Sequence, residues 1–229
     1  MTDLAAAYDG WRASTLAQIT ERLERDLVFD LAGPVAGRRV LDAGTGDGTY
    51  ALEAARGGAS VLGIDTDPAM LAAARRRADE RGTAVDLVRA AIEAVPAKDG
   101  AFDLVLAITV LCFVHDARAA LRELARVLAP GGRLVLGELG RWSWWAPLRR
   151  VRGWLGNEIW RRAHFWSRRD LVHLVESAGL RVVDVRGAVH YPRSGSFARL
   201  CAPLDPILGR LHAPGAAFLA ISADKKGSS

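Results

Sequence analysis

The sequence contains, from Val40 to Thr49, the run Val-Leu-Asp-Ala-Gly-Thr-Gly-Asp-Gly-Thr, and this run decides the fold. An apolar strand leads into three alternating glycines, and a helical pattern follows directly. Glycine lets the backbone turn sharply and lets a ligand approach without a Cβ in the way. The first turn of the following helix offers unpaired N–H groups to a negative group. The run therefore predicts the floor of a nucleotide-type cofactor site.

The spacing of these glycines separates two classes of cofactor. A dinucleotide loop has the pattern G-x-G-x-x-G, whereas this chain has D-x-G-x-G-x-G, with Asp42 two residues before Gly44. The third glycine, Gly48, comes one residue too early for a dinucleotide. A nicotinamide-dependent oxidoreductase is therefore a disfavoured alternative, and the chain also lacks an evident Tyr-x-x-x-Lys or similar hydride-transfer arrangement.

A second strand and an acidic residue follow the loop. Residues 49–57 have a helical pattern that stops at a glycine pair, and residues 59–64 form an apolar strand ending at Asp65. An acid at this place accepts hydrogen bonds from a ribose diol. The helix after it begins at Asp67-Pro68 and carries three arginines, Arg75 to Arg77, which we expect to extend into solvent.

This pattern resembles motif I of the class I S-adenosylmethionine (SAM) dependent methyltransferases. Residues 102–108 resemble the fourth strand of that family, residues 116–128 its following helix, and the run Ala-Pro-Gly-Gly-Arg-Leu-Val-Leu at 129–136 the start of its fifth strand. The resemblance covers nearly the whole chain. It is strongest to the type 11 group, which includes the ubiquinone and menaquinone biosynthesis enzymes, and it implies SAM as the cofactor.

The family resemblance also implies the architecture. It predicts an α/β, Rossmann-like, doubly wound sheet of seven strands in the order 3-2-1-4-5-7-6, with strand 7 antiparallel. Strand 3 is expected at 84–89, strand 6 at 180–186 and strand 7 at 216–223. We expect one methyltransferase domain over residues 1–229, with an N-terminal helical lid at 1–35 and an insertion rich in Trp and Arg at 139–167 that selects the substrate.

The resemblance assigns the cofactor contacts. The glycines would shape the loop, Asp42 and nearby amides would fix the methionine end of SAM, and Asp65 would hold the ribose. The family commonly has an Asp at the position of Ala91 for the adenine amino group, so this chain would keep only the apolar contact of Ile92. The full predicted set is Tyr8, Asp42, Gly44, Thr45, Gly46, Gly48, Asp65, Thr66, Ala91, Ile92 and Ile108.

The acceptor is expected beside the cofactor, because ligands of open α/β sheets bind outside the carboxyl ends of the strands. Methyl transfer depends mainly on positioning, and a base is needed only when the nucleophile must lose a proton. Two residues are candidates for this base: Glu138, which could equally orient Arg141 or a loop amide, and His115, which could equally be a surface residue. The candidate substrate contacts are Thr109, Phe113, Arg141, Trp142, His164 and Tyr191, of which the last two could also be structural.

The insertion at 139–167 has three interpretations. Six of the seven tryptophans fall in it or at its ends, and Leu148, Val151 and Leu155 share a helical stripe. It is a cap over a small apolar or aromatic methyl acceptor, a packed structural cap with surface arginines, or a weak contact with a membrane surface or nucleic acid. Nucleic acid is disfavoured, because the segment after the fourth strand lacks the N/D-P-P-Y/F pattern of base amino-methyltransferases.

Composition excludes several other classes of protein. The two cysteines, Cys112 and Cys201, are too few for a zinc site, a disulfide framework or the iron–sulfur cluster of radical SAM chemistry, so no metal site is expected. No apolar run approaches the roughly 20 residues of a membrane span, and acidic residues occupy the start of the chain, so we expect a cytoplasmic protein. The net charge of +5 comes mainly from arginine and is weak evidence for any partner. The sequence leaves two alternatives open, an active enzyme and a methyltransferase fold that binds SAM or a partner without turnover.

Overall fold

The structure is a computed structural model, and it describes residues 14–227. The seven strands are β1 (Arg39–Ala43), β2 (Ser60–Asp65), β3 (Asp86–Arg89), β4 (Phe102–Ile108), β5 (Leu128–Leu139), β6 (Leu180–Ala188) and β7 (Phe218–Lys225). The helices are α1 (Thr15–Ala32), α2 (Thr49–Arg56), α3 (Pro68–Glu80), α4 (Ala117–Val127), α5 (Ala146–Trp154), α6 (Glu158–Arg162), α7 (Arg168–Ser177), α8 (Gly195–Cys201) and α9 (Asp205–Arg210).

All seven strands form one sheet in the order β3-β2-β1-β4-β5-β7-β6. Strands β1 to β5 pair in parallel, and β7 lies antiparallel between β5 and β6. The predicted fold class, strand order and direction of the last strand are therefore confirmed. The carboxyl ends of β1, β2, β4 and β5 meet at one edge of the sheet, which is where ligands of this architecture bind.

Helices cover both faces of the sheet. Buried side chains of α1, α2 and α8 pack against one face, together with Trp145 and Tyr191. Buried side chains of α4 and α7 pack against the other face. The central strands β1 and β4 are consequently buried on both sides, which explains their almost uninterrupted apolar sequences.

The bounds of β3, β6 and β7 differ from the expectations, and β6 ends at Ala188 rather than at residue 186. β3 begins at Asp86 rather than at residue 84, and β7 covers Phe218–Lys225 rather than 216–223. At the start of β7, the amide of Ala217 donates to the carbonyl of Val189, in the turn beyond β6 (3.1 Å). This contact precedes the regular ladder, so the apolar run in the sequence begins before the strand does.

The segment between β5 and α7 folds into the short helices α5 and α6. The predicted stripe of Leu148, Val151 and Leu155 is helical in part but faces outward, with 43%, 49% and 74% of these residues exposed. The buried positions of α5 are Ala146 and Gly153 instead, and a Cβ on Gly153 would lie 2.8 Å from the backbone of Trp160. Close packing of α6 onto this glycine therefore sets which face of α5 is hidden.

Among the helices of residues 14–227, none combines the length and the apolar character that a bilayer-crossing segment requires.

Candidate active site

The glycine loop lies at the carboxyl edge of the sheet, between β1 and α2. Gly44 has φ +77°, and a Cβ at this position would lie 2.5 Å from Cγ2 of Val110, in the segment that follows β4. The loop is therefore packed tightly against the neighbouring strand connection. Glycine is required here both by the left-handed backbone and by this close approach.

Gly46 serves a different purpose from Gly44. It also has a positive φ, +56°, but a Cβ at this position would have no atom within 4 Å. Its amide donates a hydrogen bond to Oδ2 of Asp65 (2.9 Å). The top of the loop is thus joined to the end of β2 and faces open space, as a cradle for a ligand requires.

Asp42 lies beneath the loop and is only 1% exposed. Its Oδ2 accepts hydrogen bonds from Thr45 Oγ1 (2.7 Å) and from the amide of Ala51 in α2 (3.0 Å). Burial raises the pKa of this carboxyl to about 6, against the lowering effect of both hydrogen bonds. Asp42 and Thr45 therefore shape the loop from below and join it to the first turn of α2.

Asp65 lies at the end of β2 with both carboxylate oxygens engaged. Oδ2 accepts from Gly46, and Oδ1 accepts from the amide of Asp67 (2.9 Å). A carboxylate has about four acceptor positions, so each oxygen retains capacity for a ligand hydroxyl. Thr66 next to it is exposed. A ribose diol therefore fits this position without displacing either backbone bond.

Arg77 corrects one expectation from the sequence. Arg75 and Arg76 are exposed as predicted, but Arg77 folds back from α3 and forms an ion pair with Asp47 in the loop (2.7 Å). It also donates to the carbonyl of Asp47 (3.0 Å) and to Thr49 Oγ1 (3.2 Å). Its position within the helix could not reveal this role, because the partner lies 30 residues away in sequence.

The residues predicted for adenine and methionine are mostly apolar and buried. Ile92 is 5% exposed and packs in the core beside Val95, and Ile108 is 8% exposed at the end of β4. Ala91 is half-buried. Tyr8, the remaining predicted cofactor contact, lies outside the described residues.

The turn after β4 lies at the same edge of the sheet as the glycine loop, with Val110 against Gly44. Thr109 has φ +55°, which is unusual for a residue with a side chain, and its amide donates to the carbonyl of Gly137 in β5 (2.6 Å). Phe113 is 47% exposed. His115 is exposed and directly precedes Asp116, which caps α4.

Glu138 is fully buried near the end of β5. Its two oxygens accept hydrogen bonds from the amides of Leu111 (2.7 Å) and Cys112 (3.1 Å). Burial raises its pKa to about 8, although these bonds to the backbone lower it. Of the two structural roles weighed from the sequence, orientation of loop amides is the one observed, because Arg141 pairs with Asp170 instead.

Of the other predicted substrate residues, Arg141 and His164 both lie beside Trp166. Arg141 donates from Nε to the carbonyl of Phe165 (3.0 Å), and Trp142 is 74% exposed. The His164 ring packs edge-on against Trp166 with ring centroids 4.3 Å apart, and burial lowers its pKa.

Tyr191 belongs to the core on the side of α1. It is fully buried, and its hydroxyl forms a hydrogen bond with Thr20 Oγ1 (3.0 Å). Its carbonyl accepts from the indole of Trp145 (2.8 Å), and its ring meets that indole edge-on. The structural interpretation of Tyr191 is the one that these contacts support.

Comparisons with known proteins agree with this geometry. Residues 41–136 match a family model described as a methyltransferase domain. The chain is 34% identical over 172 residues to a ubiquinone biosynthesis O-methyltransferase of Methylobacterium sp., covering 72% of this chain and 68% of the relative. It is 36% identical to an uncharacterized protein of Mycobacterium tuberculosis over 96% of this chain and 71% of the relative.

Among solved structures, the fold is similar to a SAM-dependent methyltransferase from Thermotoga maritima. The TM-score is 0.75 at 24% identity, and the match covers 97% of this chain and 96% of the other. The glycine loop faces open space and is bonded through Gly46 to the acid at the end of β2. The chain therefore belongs to the class I SAM-dependent methyltransferases, enzymes that use SAM as their cofactor.

Proposed function

We propose that this enzyme transfers the methyl group of SAM directly to a small, apolar or aromatic molecule held under residues 139–167. One observation carries the proposal: the end of this segment returns to the carboxyl edge and bonds to both acceptor-side loops. The amide of His164 donates to the carbonyl of Cys112 (2.8 Å), and the amide of Trp166 donates to the carbonyl of Leu139 (2.8 Å). These two bonds at the carboxyl edge support a cap beside the proposed cofactor site.

The side chains between the cap and the edge support an apolar acceptor. Cys112, Leu139, Ala146 and Phe165 form a small buried cluster, with Trp160 packed against it. An acceptor held under the cap would therefore meet apolar side chains, which favours a ligand with apolar or aromatic surface.

SAM supplies a methyl group bonded to a positively charged sulfur. The sulfur leaves as a neutral thioether, which is a good leaving group. The acceptor atom forms a bond to the methyl carbon while the carbon–sulfur bond breaks, with its electron pair going to sulfur. The protein has to align the two partners within a few ångströms and exclude water. The glycine loop and Asp65 would hold the cofactor, and the turn after β4 would bring the acceptor to it.

Glu138 acts in this proposal as a positioning residue. Both its oxygens are committed to the amides of the turn after β4, and its side chain is fully buried. It would therefore keep Leu111 and Cys112 in place rather than accept a proton from the acceptor.

Calorimetry with SAM, S-adenosylhomocysteine and NADH tests the cofactor, and transfer of labelled methyl from SAM to a panel of aromatic acceptors tests the reaction. We expect micromolar binding of the first two ligands, no binding of NADH, and labelled product from at least one aromatic acceptor. Binding of SAM with transfer only to strongly polar acceptors would contradict the proposed substrate class. Binding without transfer to any acceptor would favour the non-catalytic alternative.

The exposed face of the same segment favours a second role, a weak contact with an anionic lipid surface. Trp142, Trp144 and Trp154 are 74%, 68% and 88% exposed. Four exposed arginines accompany them, and the single acidic residue between 141 and 166 is Glu158. Indoles with arginines suit the boundary of an anionic bilayer. Cosedimentation with vesicles containing phosphatidylglycerol should exceed that with phosphatidylcholine alone, and Trp154→Ala should reduce it; equal cosedimentation with both vesicles would contradict this role.

A further inference from the structure

Arg149 in α5 is held by aromatic rings. Its guanidinium carbon lies 5.0 Å from the ring centroid of Trp145 and 4.8 Å from that of Trp160. Attraction between a cation and the faces of two indoles fixes the position of this long side chain. The guanidinium also has five N–H donors in one plane, and the ring faces offer these donors no oxygen acceptor.

One of these donors has no hydrogen-bond partner among residues 14–227. It is Nη1 of Arg149, and it is buried. A buried donor of a charged group is costly to leave unpaired. The side chain is thus both fixed in place and incompletely satisfied, which is typical of a group that binds a ligand.

The charged neighbours do not neutralise Arg149. Glu24 of α1 attracts it, but the two side chains form no direct ion pair, and burial raises the pKa of Glu24 to about 7. Arg193 repels it and also lies over the ring of Trp145, at 5.8 Å. Burial is the main cause that lowers the pKa of Arg149, to about 10, so the guanidinium remains charged at neutral pH.

The location connects this charge to the acceptor side. Trp160, whose ring lies 4.8 Å from the Arg149 guanidinium carbon, packs against the buried cluster that contains Cys112. The amide of Cys112 is one of the two that Glu138 holds in the turn after β4. The backbone of Cys112 also anchors the returning end of the cap through His164. Arg149 therefore lies beside the apolar cluster that joins α5 and α6 to the turn after β4.

We propose that Arg149 binds a carboxylate group of the methyl acceptor, so that the preferred substrates are aromatic carboxylic acids. This inference rests on the proposed function and specifies its substrate class. A carboxylate is planar and matches the two-pronged donor edge of a guanidinium. Glu24 nearby disfavours a doubly charged phosphate, whereas a singly charged carboxylate can share a proton with it.

The test is calorimetry on the enzyme loaded with S-adenosylhomocysteine, using cinnamate, benzoate and the corresponding neutral amides as probes. We expect at least one acid to bind saturably and its amide to bind at least 10-fold more weakly. Arg149→Gln should weaken the acid at least 10-fold and leave the amide unchanged. The matched control is Arg150→Gln, because Arg150 is exposed and lies over the Phe165 ring (5.2 Å); this variant should change acid binding less than twofold.

Several results would overturn the inference. These are equal affinity for acid and amide, undiminished acid binding by Arg149→Gln, or stronger binding of inorganic phosphate than of either acid. If Arg149→Gln fails to bind S-adenosylhomocysteine, Arg149→Lys decides, because lysine keeps the charge but loses the planar donor edge; unchanged acid binding there would refute the proposal. Failure of the proposed function is distinct, since wild-type protein would then transfer no labelled methyl group from SAM to any acceptor of the panel.

Discussion

The cofactor loop and the cap segment at 139–167 are built in opposite ways. In the cofactor loop, Asp42, Asp65 and Arg77 each bond to groups within the loop or to the elements beside it. In the cap, three tryptophans are mostly exposed, and Arg149 has a buried donor without an acceptor in the described residues. A loop fixed in advance suits a ligand shared by a whole family, and under the proposed function the unpaired donor of the cap would bind the particular substrate.

The contrast also separates two kinds of aromatic residue within the cap itself. Trp145 is 2% exposed and belongs to the core, while Trp154, nine residues later, is 88% exposed. Aromatic content alone therefore does not identify which indoles stabilise the fold and which are available to ligands or surfaces.

The largest expected effect tests this division. Trp145→Ala removes a buried indole and its hydrogen bond to the carbonyl of Tyr191, so the free energy of unfolding should fall by about 3–5 kcal/mol. Trp154→Ala should change it by less than about 0.5 kcal/mol. Denaturant unfolding of both variants provides the measurement. Similar losses in the two would show that the cap is one packed unit and that the division is wrong.

The next effect concerns the loop. Gly44→Ala combines the cost of a left-handed backbone with a 2.5 Å approach to Val110, so it should destabilise by about 2–4 kcal/mol. Gly46→Ala has the same backbone strain without the close contact and should cost about 1–2 kcal/mol. The same unfolding experiment compares the two variants, and equal losses would mean that Val110 yields to the added methyl group.

These two regions also differ in how far the sequence predicts them. The strand–loop–helix of residues 39–56 could be predicted because its glycines adopt the left-handed backbone that the turn needs, and because Asp42 bonds to Thr45 and Ala51, fewer than ten residues away. The partners of Glu138 lie 26 and 27 residues away, and that of Arg77 lies 30 away. Residue type and spacing along the chain do not identify the partners in such distant pairs, because the folded sheet determines which residues become neighbours.

The cap shows the same limit for a helix face. The stripe of Leu148, Val151 and Leu155 correctly predicts a helix, but periodicity does not say which side meets the protein. Gly153 decides this by allowing α6 to approach, and a lone glycine in a helix is no signal of burial. The tertiary contact overrides the apolar pattern and leaves these three residues at the surface.

The pH dependence of stability tests the protonation of Glu138, which lies near the end of β5 and bonds to the turn after β4. Burial raises its pKa from 4.5 to about 8, so the folded state holds a proton that the unfolded chain has lost. The resulting stabilisation is complete below pH 4.5 and is lost as the pH rises toward 8. Between pH 5 and 7 the wild type should therefore lose about 2–3 kcal/mol relative to Glu138→Gln.

Unfolding midpoints at several pH values give this difference, and Glu93→Gln, at an exposed position, is the matched control. The control should follow the wild type across the range. If the difference in unfolding free energy between wild type and Glu138→Gln stays constant with pH, Glu138 is ionised in the folded protein. Its hydrogen bonds from Leu111 and Cys112 would then lower its pKa by more than burial raises it.

The smallest effect addresses the cofactor side alone. Asp65→Asn keeps the shape of the side chain but replaces one accepting oxygen by an amide nitrogen, which cannot accept a hydrogen bond. The remaining oxygen cannot accept from Gly46, from Asp67 and from a ribose hydroxyl at the same time. We expect the dissociation constant of SAM to rise about 10- to 100-fold, since hydrogen bonds to charged groups contribute about 1.5–3 kcal/mol. Asp67→Asn is the matched control, because asparagine caps α3 as well as aspartate does and removes a charge two residues away. Calorimetry with SAM should show less than a twofold change for this control. Equal weakening in both variants would mean that charge near the loop, rather than the bonds made by Asp65, determines cofactor affinity.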